Sequence, residues 1–295
     1  MRKVKTVNLV NNYQRFLTPE FKPFNPLELA EETEKIVTRS GEEGLERKYT
    51  NFYCVPVYGG IATGYAAGCC LRCFYCWSNW SRDFPERFGK FYSPRQAAQM
   101  LFRAAEEGIR YSDYWRKLIP KINKLRLSGC EPTIGKEHLL NLLEFVKQSK
   151  YPLFILETNG IILGNDKEYA KRLSDFKEKL YVRVSIKAAT PESFTLRTGA
   201  RGEFYMLPFK ALRNLLDNGI YARAAAMTDN RVMPKEERQT LIQMLDEIDP
   251  KANYPKTLEE ETIDAYDTTI KRIKALKNQE YAKRLIQEII KSNIH

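Results

Sequence analysis

The chain has 295 residues, of which 43% are hydrophobic and 29% charged, an ordinary balance for a soluble globular protein with one large core or two smaller ones. Six cysteines, four of them within residues 69–76, make a poor disulfide framework for a chain of this length and fit metal chemistry better. The net charge of +11 permits a polyanionic partner such as RNA, yet lysines and glutamates interleave along residues 166–179 and 259–277, as on solvated helix faces.

The N-terminal sequence MRKVK lacks the apolar run of a signal peptide, so we expect a cytoplasmic protein. Residues 52–71 carry no charge, but Pro56 and several glycines give this stretch a low propensity to form a helix, whether in a membrane or in water. We therefore interpret it as a strand with its flanking loop and expect no association with a membrane.

Hydrophobic periodicity predicts alternating helices and strands along most of the chain. An N-terminal extension, residues 1–57, is expected to contain two short helices within residues 26–49, broken near Ser40 and Gly41. The first core strand is expected within residues 55–68, and a basic, aromatic stretch lies at 109–124. Further strands are predicted at 125–128, 153–157, 180–187 and 220–227, and helices from Ser93 to Gly108 and at 136–150, 166–179, 191–198, 203–218 and 234–248.

This alternation predicts a parallel sheet with helical crossovers, with residues 58–250 as the core domain. The C-terminal segment, residues 251–295, is expected to be helical, because Thr257 and Glu260 have the spacing of a capping box and an apolar face follows. A last helix is predicted at 279–291. A sixth strand would have to be short and lie between residues 249 and 255, where the strand signal is weak.

Three cysteines, Cys69, Cys73 and Cys76, follow the first core strand in a C-x3-C-x2-C spacing. Three thiolates on one short loop can converge on one inorganic centre, and an iron-sulfur cluster held by only three cysteines leaves one iron open to another ligand. A zinc site is the alternative, with Cys54 or Cys130 as a distant fourth ligand. Zinc sites usually have two pairs of ligands, however, and this chain has no second pair.

The cysteine spacing resembles the signature of the radical S-adenosylmethionine (radical SAM) superfamily. The resemblance implies a [4Fe-4S] cluster on Cys69, Cys73 and Cys76 whose open iron binds S-adenosylmethionine. It implies that an electron donor such as ferredoxin or flavodoxin reduces the cluster, and that a 5'-deoxyadenosyl radical then abstracts hydrogen from a substrate. It also implies an α/β fold, the partial (β/α)6 barrel, in which the βα loops build the site at the carboxyl ends of the strands.

Three further motifs lie at predicted strand ends and strengthen the resemblance. Residues 128–132, with the sequence SGCEP, resemble the G-G-E-P motif that contacts the amino group of S-adenosylmethionine. Residues 157–160 and 184–187 resemble strand-end motifs of glycyl-radical-enzyme activases, although Ser185 replaces an acidic residue. Tyr75 has the position of an aromatic whose backbone lies near adenine. The implied cofactor contacts are Tyr75, Ser128, Gly129, Cys130, Glu131, Asn159, Ser185 and Lys187.

These motifs predict a radical SAM enzyme of the activase-like branch that acts on a protein or small-molecule substrate. No catalytic residue is assigned beyond the cluster ligands. Glu131, Asn159, Ser185 and Lys187 are expected to line one cavity, and the N-terminal extension and the segment from Thr257 onward are expected to select the substrate. Two alternatives stay open: a radical SAM enzyme that modifies RNA, and a non-catalytic metal-binding nucleic-acid module, both suggested by basic charge and by aromatics interleaved with arginines.

Overall fold

The structure is a computed structural model that describes residues 13–108 and 122–292. Most of the basic, aromatic stretch at 109–124 therefore lies outside the described residues. The strands are β1 Thr38–Gly41, β2 Gly44–Val55, β3 Ile61–Ala66, β4 Lys90–Tyr92, β5 Lys124–Gly129, β6 Leu153–Thr158, β7 Leu180–Ile186, β8 Tyr221–Met227 and β9 Glu259–Glu261. The helices are α1 Pro26–Val37, α2 Pro94–Glu107, α3 Lys136–Gln148, α4 Ile161–Asn165, α5 Lys167–Leu173, α6 Pro191–Thr198, α7 Leu207–Asp217, α8 Lys235–Ile248, α9 Asp267–Lys274 and α10 Gln279–Ser292.

The strands of the described residues form one sheet in the order β1-β2-β3-β5-β6-β7-β8-β9, with β4 paired to β2. From β3 to β9 every neighbouring pair is parallel, whereas β1, β2 and β4 pair antiparallel at one edge. The sheet does not close on itself, because β1 and β9 end the order. The predicted partial (β/α)6 barrel is therefore confirmed, with six parallel strands.

The two faces of the parallel strands differ in chemistry. On β7, Val182 and Val184 are fully buried in the main hydrophobic core with the helices, while Arg183 and Ser185 point to the opposite face. The same alternation holds on β5, where Leu127 belongs to the core and Ser128 to the other face. Because side chains alternate along a strand, each parallel strand contributes apolar residues to the helix layer and polar residues to the concave face.

The prediction of a second helix within residues 26–49 was wrong. Helix α1 starts at the Asn25 cap and ends at Val37, and the chain then forms the β1–β2 hairpin. Gly44 adopts a φ of +100° where this turn enters β2, a conformation that favours glycine. Strand β2 runs on to Val55 and pairs with β3, so part of the predicted extension belongs to the sheet.

The predicted capping box at Thr257 was also wrong, since Glu259, Glu260 and Glu261 form β9, the sixth parallel strand. Glutamate is depleted in strands, and ion pairs to neighbouring elements compensate here. Arg183 of β7 contacts Glu259 and Glu261, and Arg238 of α8 contacts Glu260 at 2.5 Å. The helix predicted after this capping box begins only at Asp267.

Candidate active site

The loop after β3 carries the three motif cysteines. It begins at Gly68, which has a φ of +79°, a conformation that favours glycine. A Cβ there would also lie only 2.5 Å from Cγ2 of Thr33. Cys69 and Cys73 are buried and Cys76 is half-buried, and all three are free thiols. They line a single cavity of about 350 Å³ at the carboxyl ends of the parallel strands.

The structure brings nearly all of the sequence-predicted residues to this cavity. The predicted residues that line it are Cys69, Cys73, Tyr75, Cys76, Ser128, Gly129, Cys130, Asn159, Ser185 and Lys187. They come from the cysteine loop and from the ends of β5, β6 and β7, which are adjacent in the sheet. Parallel neighbouring strands place their carboxyl ends at one edge, which explains the convergence.

Glu131 is the exception, and the expectation that its side chain lines the cavity is not met. It is fully buried below the strand ends. Its Oε1 accepts hydrogen bonds from the main chain and hydroxyl of Thr133 and from the hydroxyl of Thr158, at 3.1, 2.6 and 2.7 Å. Its Oε2 accepts from the main-chain nitrogen of Asn159 at 2.8 Å. The carboxylate therefore ties the end of β5 to the end of β6.

The side chain of Asn159 lies against two cysteines. Its Nδ2 donates to Sγ of Cys70 at 3.3 Å and approaches Sγ of Cys69 at 3.6 Å. The hydrogen bond between the two thiols lowers the pKa of Cys69 and raises that of Cys70, because Cys69 takes the accepting role. Burial raises the pKa of Cys73 to about 11 and that of Cys130 to about 12. Of Cys69, Cys70, Cys73 and Cys130, Cys69 is therefore the thiol that most readily becomes a thiolate.

The concave face of the sheet, which lines the cavity, carries paired charges. Arg126 contacts Glu157 at 3.0 Å, and the hydroxyl of Ser128 donates to the same carboxylate. Arg183 donates to Glu261 at 2.9 Å, and Lys187 lies 3.9 Å from that glutamate. The positive charges come from β5, β7 and the residue after β7, and the negative charges from β6 and β9. The cavity therefore offers a hydrogen-bonding surface of both signs.

Several cavity residues were not among the cofactor contacts assigned from the sequence. They are Leu71, Trp77, Ser78, Arg82, Glu157, Thr158, Arg183, Met227, Glu261, Thr262 and Asp264. The alternation of Arg183 and Ser185 with Val182 and Val184 was a usable signal for one of them, because polar residues at every second position mark one face of a strand. No comparable signal marked Glu261, since β9 is too short to show a period.

The residues of the cavity fit a large cofactor. The hydroxyl of Tyr75 is buried and has no hydrogen-bond partner among the described residues, which is costly unless a ligand supplies one. Gly129 has a φ of +97°, and a Cβ there would lie 3.2 Å from the carbonyl oxygen of Ala66, so a side chain would crowd the backbone of β3. Within residues 13–108 and 122–292, no three Cys, His, Asp or Glu side chains are placed to hold a single metal ion. Three cysteines of one loop beside a single cavity are a donor set that fits a cluster with one open iron.

Residues 65–248 match the sequence model of the Radical SAM superfamily. The chain belongs to the radical SAM superfamily. Its cofactors are accordingly a [4Fe-4S] cluster and S-adenosylmethionine, and the three cysteines of the superfamily motif are present. No curated protein matches the chain. None of the described helices is long and apolar enough to cross a membrane.

Among solved structures, this radical SAM chain is similar to SuiB of Streptococcus suis at 18% identity and a TM-score of 0.45, over 61% of this chain and 35% of that one. It is similar to tagged anSMEcpe with bound AdoMet at 17% identity and a TM-score of 0.47, over 75% and 55% of the two chains. For TYW1 with a lysine-pyruvate adduct bound, identity is 14% and the TM-score 0.45, over 77% and 73%. The match thus spans about a third to a half of the first two proteins.

Proposed function

We propose that this radical SAM enzyme abstracts hydrogen from a protein or small-molecule substrate that enters the cavity at the strand ends. The observation that carries the proposal is the convergence of Cys69, Cys73 and Cys76 with polar strand-end residues on that one cavity. When bound together and reduced by a donor such as ferredoxin or flavodoxin, the cluster and S-adenosylmethionine supply a 5'-deoxyadenosyl radical.

The roles that we propose for this chain's residues follow from their positions. Cys69, Cys73 and Cys76 hold the cluster. Lys187, whose Nζ also contacts the hydroxyl of Ser185, provides a cation for a carboxylate at the end of β7. Asn159 fixes the thiol groups of the loop through its amide. Glu131 acts as a positioning residue that does not line the cavity, because its carboxylate already accepts hydrogen bonds from protein donors.

The cavity lining supports a polar substrate with groups of both charges, such as a segment of a peptide. Arg183 and Lys187 line the cavity together with Glu157 and Glu261, so side chains of both signs face a bound substrate. Trp77, which is 49% exposed, lines the same cavity and offers an apolar contact where the cavity opens. The motifs at 157–160 and 184–187 favour an enzyme of the activase-like branch of the superfamily.

Anaerobic reconstitution with iron and sulfide, followed by reduction in the presence of S-adenosylmethionine, tests the proposal. We expect 5'-deoxyadenosine from the wild-type protein and none from the variant with Cys69, Cys73 and Cys76 all replaced by alanine. Peptides with deuterated side chains identify a substrate if deuterium appears in the 5'-deoxyadenosine. A fully loaded cluster that produces no 5'-deoxyadenosine, together with nucleic-acid binding, would instead support the non-catalytic module.

RNA modification is separated from this proposal by titration with bulk tRNA at two salt concentrations. Phosphate contacts make RNA binding strongly dependent on salt. Many basic side chains of the described region contact acids instead, for example Arg172 with Glu137 and Arg238 with Glu260. We therefore expect weak tRNA binding. Submicromolar binding that is lost on adding salt would make RNA the favoured substrate.

A further inference from the structure

Each of the three motif cysteines has its carbonyl oxygen bound by a different arginine. Nη1 of Arg72 donates to the carbonyl of Cys69, Nη1 of Arg82 to that of Cys73, and Nη1 of Arg272 to that of Cys76, each at 2.6 Å. All three arginines are at most 2% exposed. We call these three residues the arginine collar.

The arginine collar carries more positive charge than the protein around it neutralises. Asp83 is fully buried and contacts both Arg82 and Arg272, the latter at 2.6 Å. Arg72 donates to the carbonyls of Gln14, Cys69 and Leu71, its Nη2 has no partner, and no acid contacts it among the described residues. Together these four buried side chains, three arginines and one aspartate, carry a net charge of +2.

A buried charge without a counter-charge costs several kcal/mol. A cluster held by the three thiolates of this loop would add negative charge beside the arginines, and reduction would add a further negative charge. Each arginine binds a carbonyl of the loop that would hold the cluster, in an interior where electrostatic interactions are only weakly screened. Net charge and hydrogen bonding around a cluster are the factors by which a protein sets its reduction potential.

The collar depends on a segment outside the family match, which ends at residue 248. Arg272 lies on α9 and also donates to the carbonyls of Ser78 and Asn79, at 2.6 and 3.0 Å. Thr269 of the same helix donates to the carbonyl of Cys76 at 3.1 Å. Helix α9 therefore holds the backbone that follows the third motif cysteine.

We propose that Arg72, Arg82 and Arg272 are positioning residues that fix the backbone of the cysteine loop and raise the reduction potential of the cluster, which serves as their missing counter-charge. This rests on the membership of the radical SAM superfamily and is independent of the substrate. Because the arginines act through their charge, the sign of the shift in reduction potential follows from the sign of the charge that a substitution removes.

Reductive titration of the reconstituted protein, followed by electron paramagnetic resonance, tests the sign. In Arg72→Met and Arg272→Met we expect the ratio of reduced to oxidised cluster at a fixed applied potential to fall about tenfold, a shift of about 59 mV to more negative potential. In Asp83→Asn, which removes the one negative charge, the shift should have the opposite sign. Arg223→Met is the matched control, because Arg223 pairs with Asp249 and contacts no part of the loop.

Shifts of opposite sign cannot come from general loosening of the loop, so they support the collar. Unchanged potentials in all three variants, or a shift of Asp83→Asn in the same direction as the arginine variants, would overturn the proposal. If a methionine variant retains no iron, the lysine variant at that position keeps the charge and should keep the potential. As a second readout, the difference in Tm between cluster-bound and cluster-free protein should be smaller in Arg72→Met than in wild type, and an unchanged difference would contradict the counter-charge.

Discussion

The main-chain nitrogen of Asn159 donates a 2.8 Å hydrogen bond to Oε2 of Glu131, and this bond joins the ends of two neighbouring parallel strands. Asn159 in turn holds Cys70 and lies near Cys69 with its amide. A buried carboxylate that does not line the cavity thus controls a side chain that does. The motif residue Glu131 acts on the site through the backbone of its neighbour.

Replacing Glu131 by glutamine should destabilise the fold and disturb the cavity. The new amide nitrogen is itself a donor, and it would face groups that now donate hydrogen bonds to the carboxylate, including the main-chain nitrogen of Asn159. Because a buried donor left unpaired costs about 1–3 kcal/mol, we expect a loss of that size in the free energy of unfolding, measured with urea. Glu137→Gln, at an exposed ion pair with Arg172, is the control and should lose about 1 kcal/mol or less. Equal losses in the two variants would contradict the positioning role.

The sequence predicted the parallel core well because its strands and helices follow local patterns. Strands β6, β7 and β8 lie within a residue or two of their predicted bounds, and the helices α3 and α8 agree similarly. The misread elements depend on distant partners. Strand β9 is three glutamates whose charges are compensated by Arg183 and Arg238, and no local pattern encodes that. The β1–β2 hairpin likewise depends on pairing with β3.

The candidate site was predictable to a similar degree and for a similar reason. Motifs identified the cysteine loop and most strand-end residues, since these are defined by order along the chain. The burial of Glu131 was not, because its partners Thr158 and Asn159 become neighbours only when β5 and β6 pair. Arg272 could not be linked to the cysteine loop for the same reason, as it follows Cys76 by 196 residues.

Iron binding should depend on the three motif cysteines and not on Cys54. The cavity lies between Cys69, Cys73 and Cys76, whereas Cys54 is buried in the core beside α2 and contacts the carbonyl of Ala104. We expect about four irons per chain after anaerobic reconstitution of wild type and of Cys54→Ala, as for one [4Fe-4S] cluster. Replacing the three motif cysteines together by alanine should abolish this iron. A full complement of iron in that triple variant would contradict the cluster assignment.

His138 should make the protein sensitive to mild acid. Its Nδ1 donates to the carbonyl of Leu45 at 2.8 Å and its Nε2 accepts from the hydroxyl of Tyr49 at 3.0 Å. Burial lowers the pKa of His138 from 6.5 to about 4. Between those two values the unfolded chain binds a proton that the folded chain does not, so stability falls as pH decreases from about 6.5 towards 4.

The loss from this histidine should reach about 2–3 kcal/mol at pH 4.5. Unfolding by urea at pH 7 and pH 4.5 measures it, and His138→Gln should lose less stability than wild type over the same interval. The comparison between the two proteins removes the contribution of carboxylates, which titrate in both. If both proteins lose the same amount, the neutral state of His138 is not what acid disturbs.

Lys187 should contribute to the binding of S-adenosylmethionine. Its ammonium group lies at the carboxyl end of β7, where it lines the cavity together with the motif cysteines. It is only partly neutralised, since Glu261 lies at 3.9 Å and also pairs with Arg183 at 2.9 Å. A carboxylate of the cofactor therefore has a cation available. We expect Lys187→Met to weaken binding about tenfold, which corresponds to about 1.4 kcal/mol.

Equilibrium dialysis of the reconstituted protein with labelled S-adenosylmethionine under anaerobic conditions measures this effect. Lys179→Met is the matched control, because Lys179 precedes the same strand at its opposite end and binds the carbonyls of Val146 and Ser149. The control should bind as wild type does, provided that its cluster content is equal. Wild-type affinity in Lys187→Met would show that the cofactor carboxylate is held elsewhere, and Arg183→Met would then be the next variant to measure, since its guanidinium lines the same cavity from the same strand.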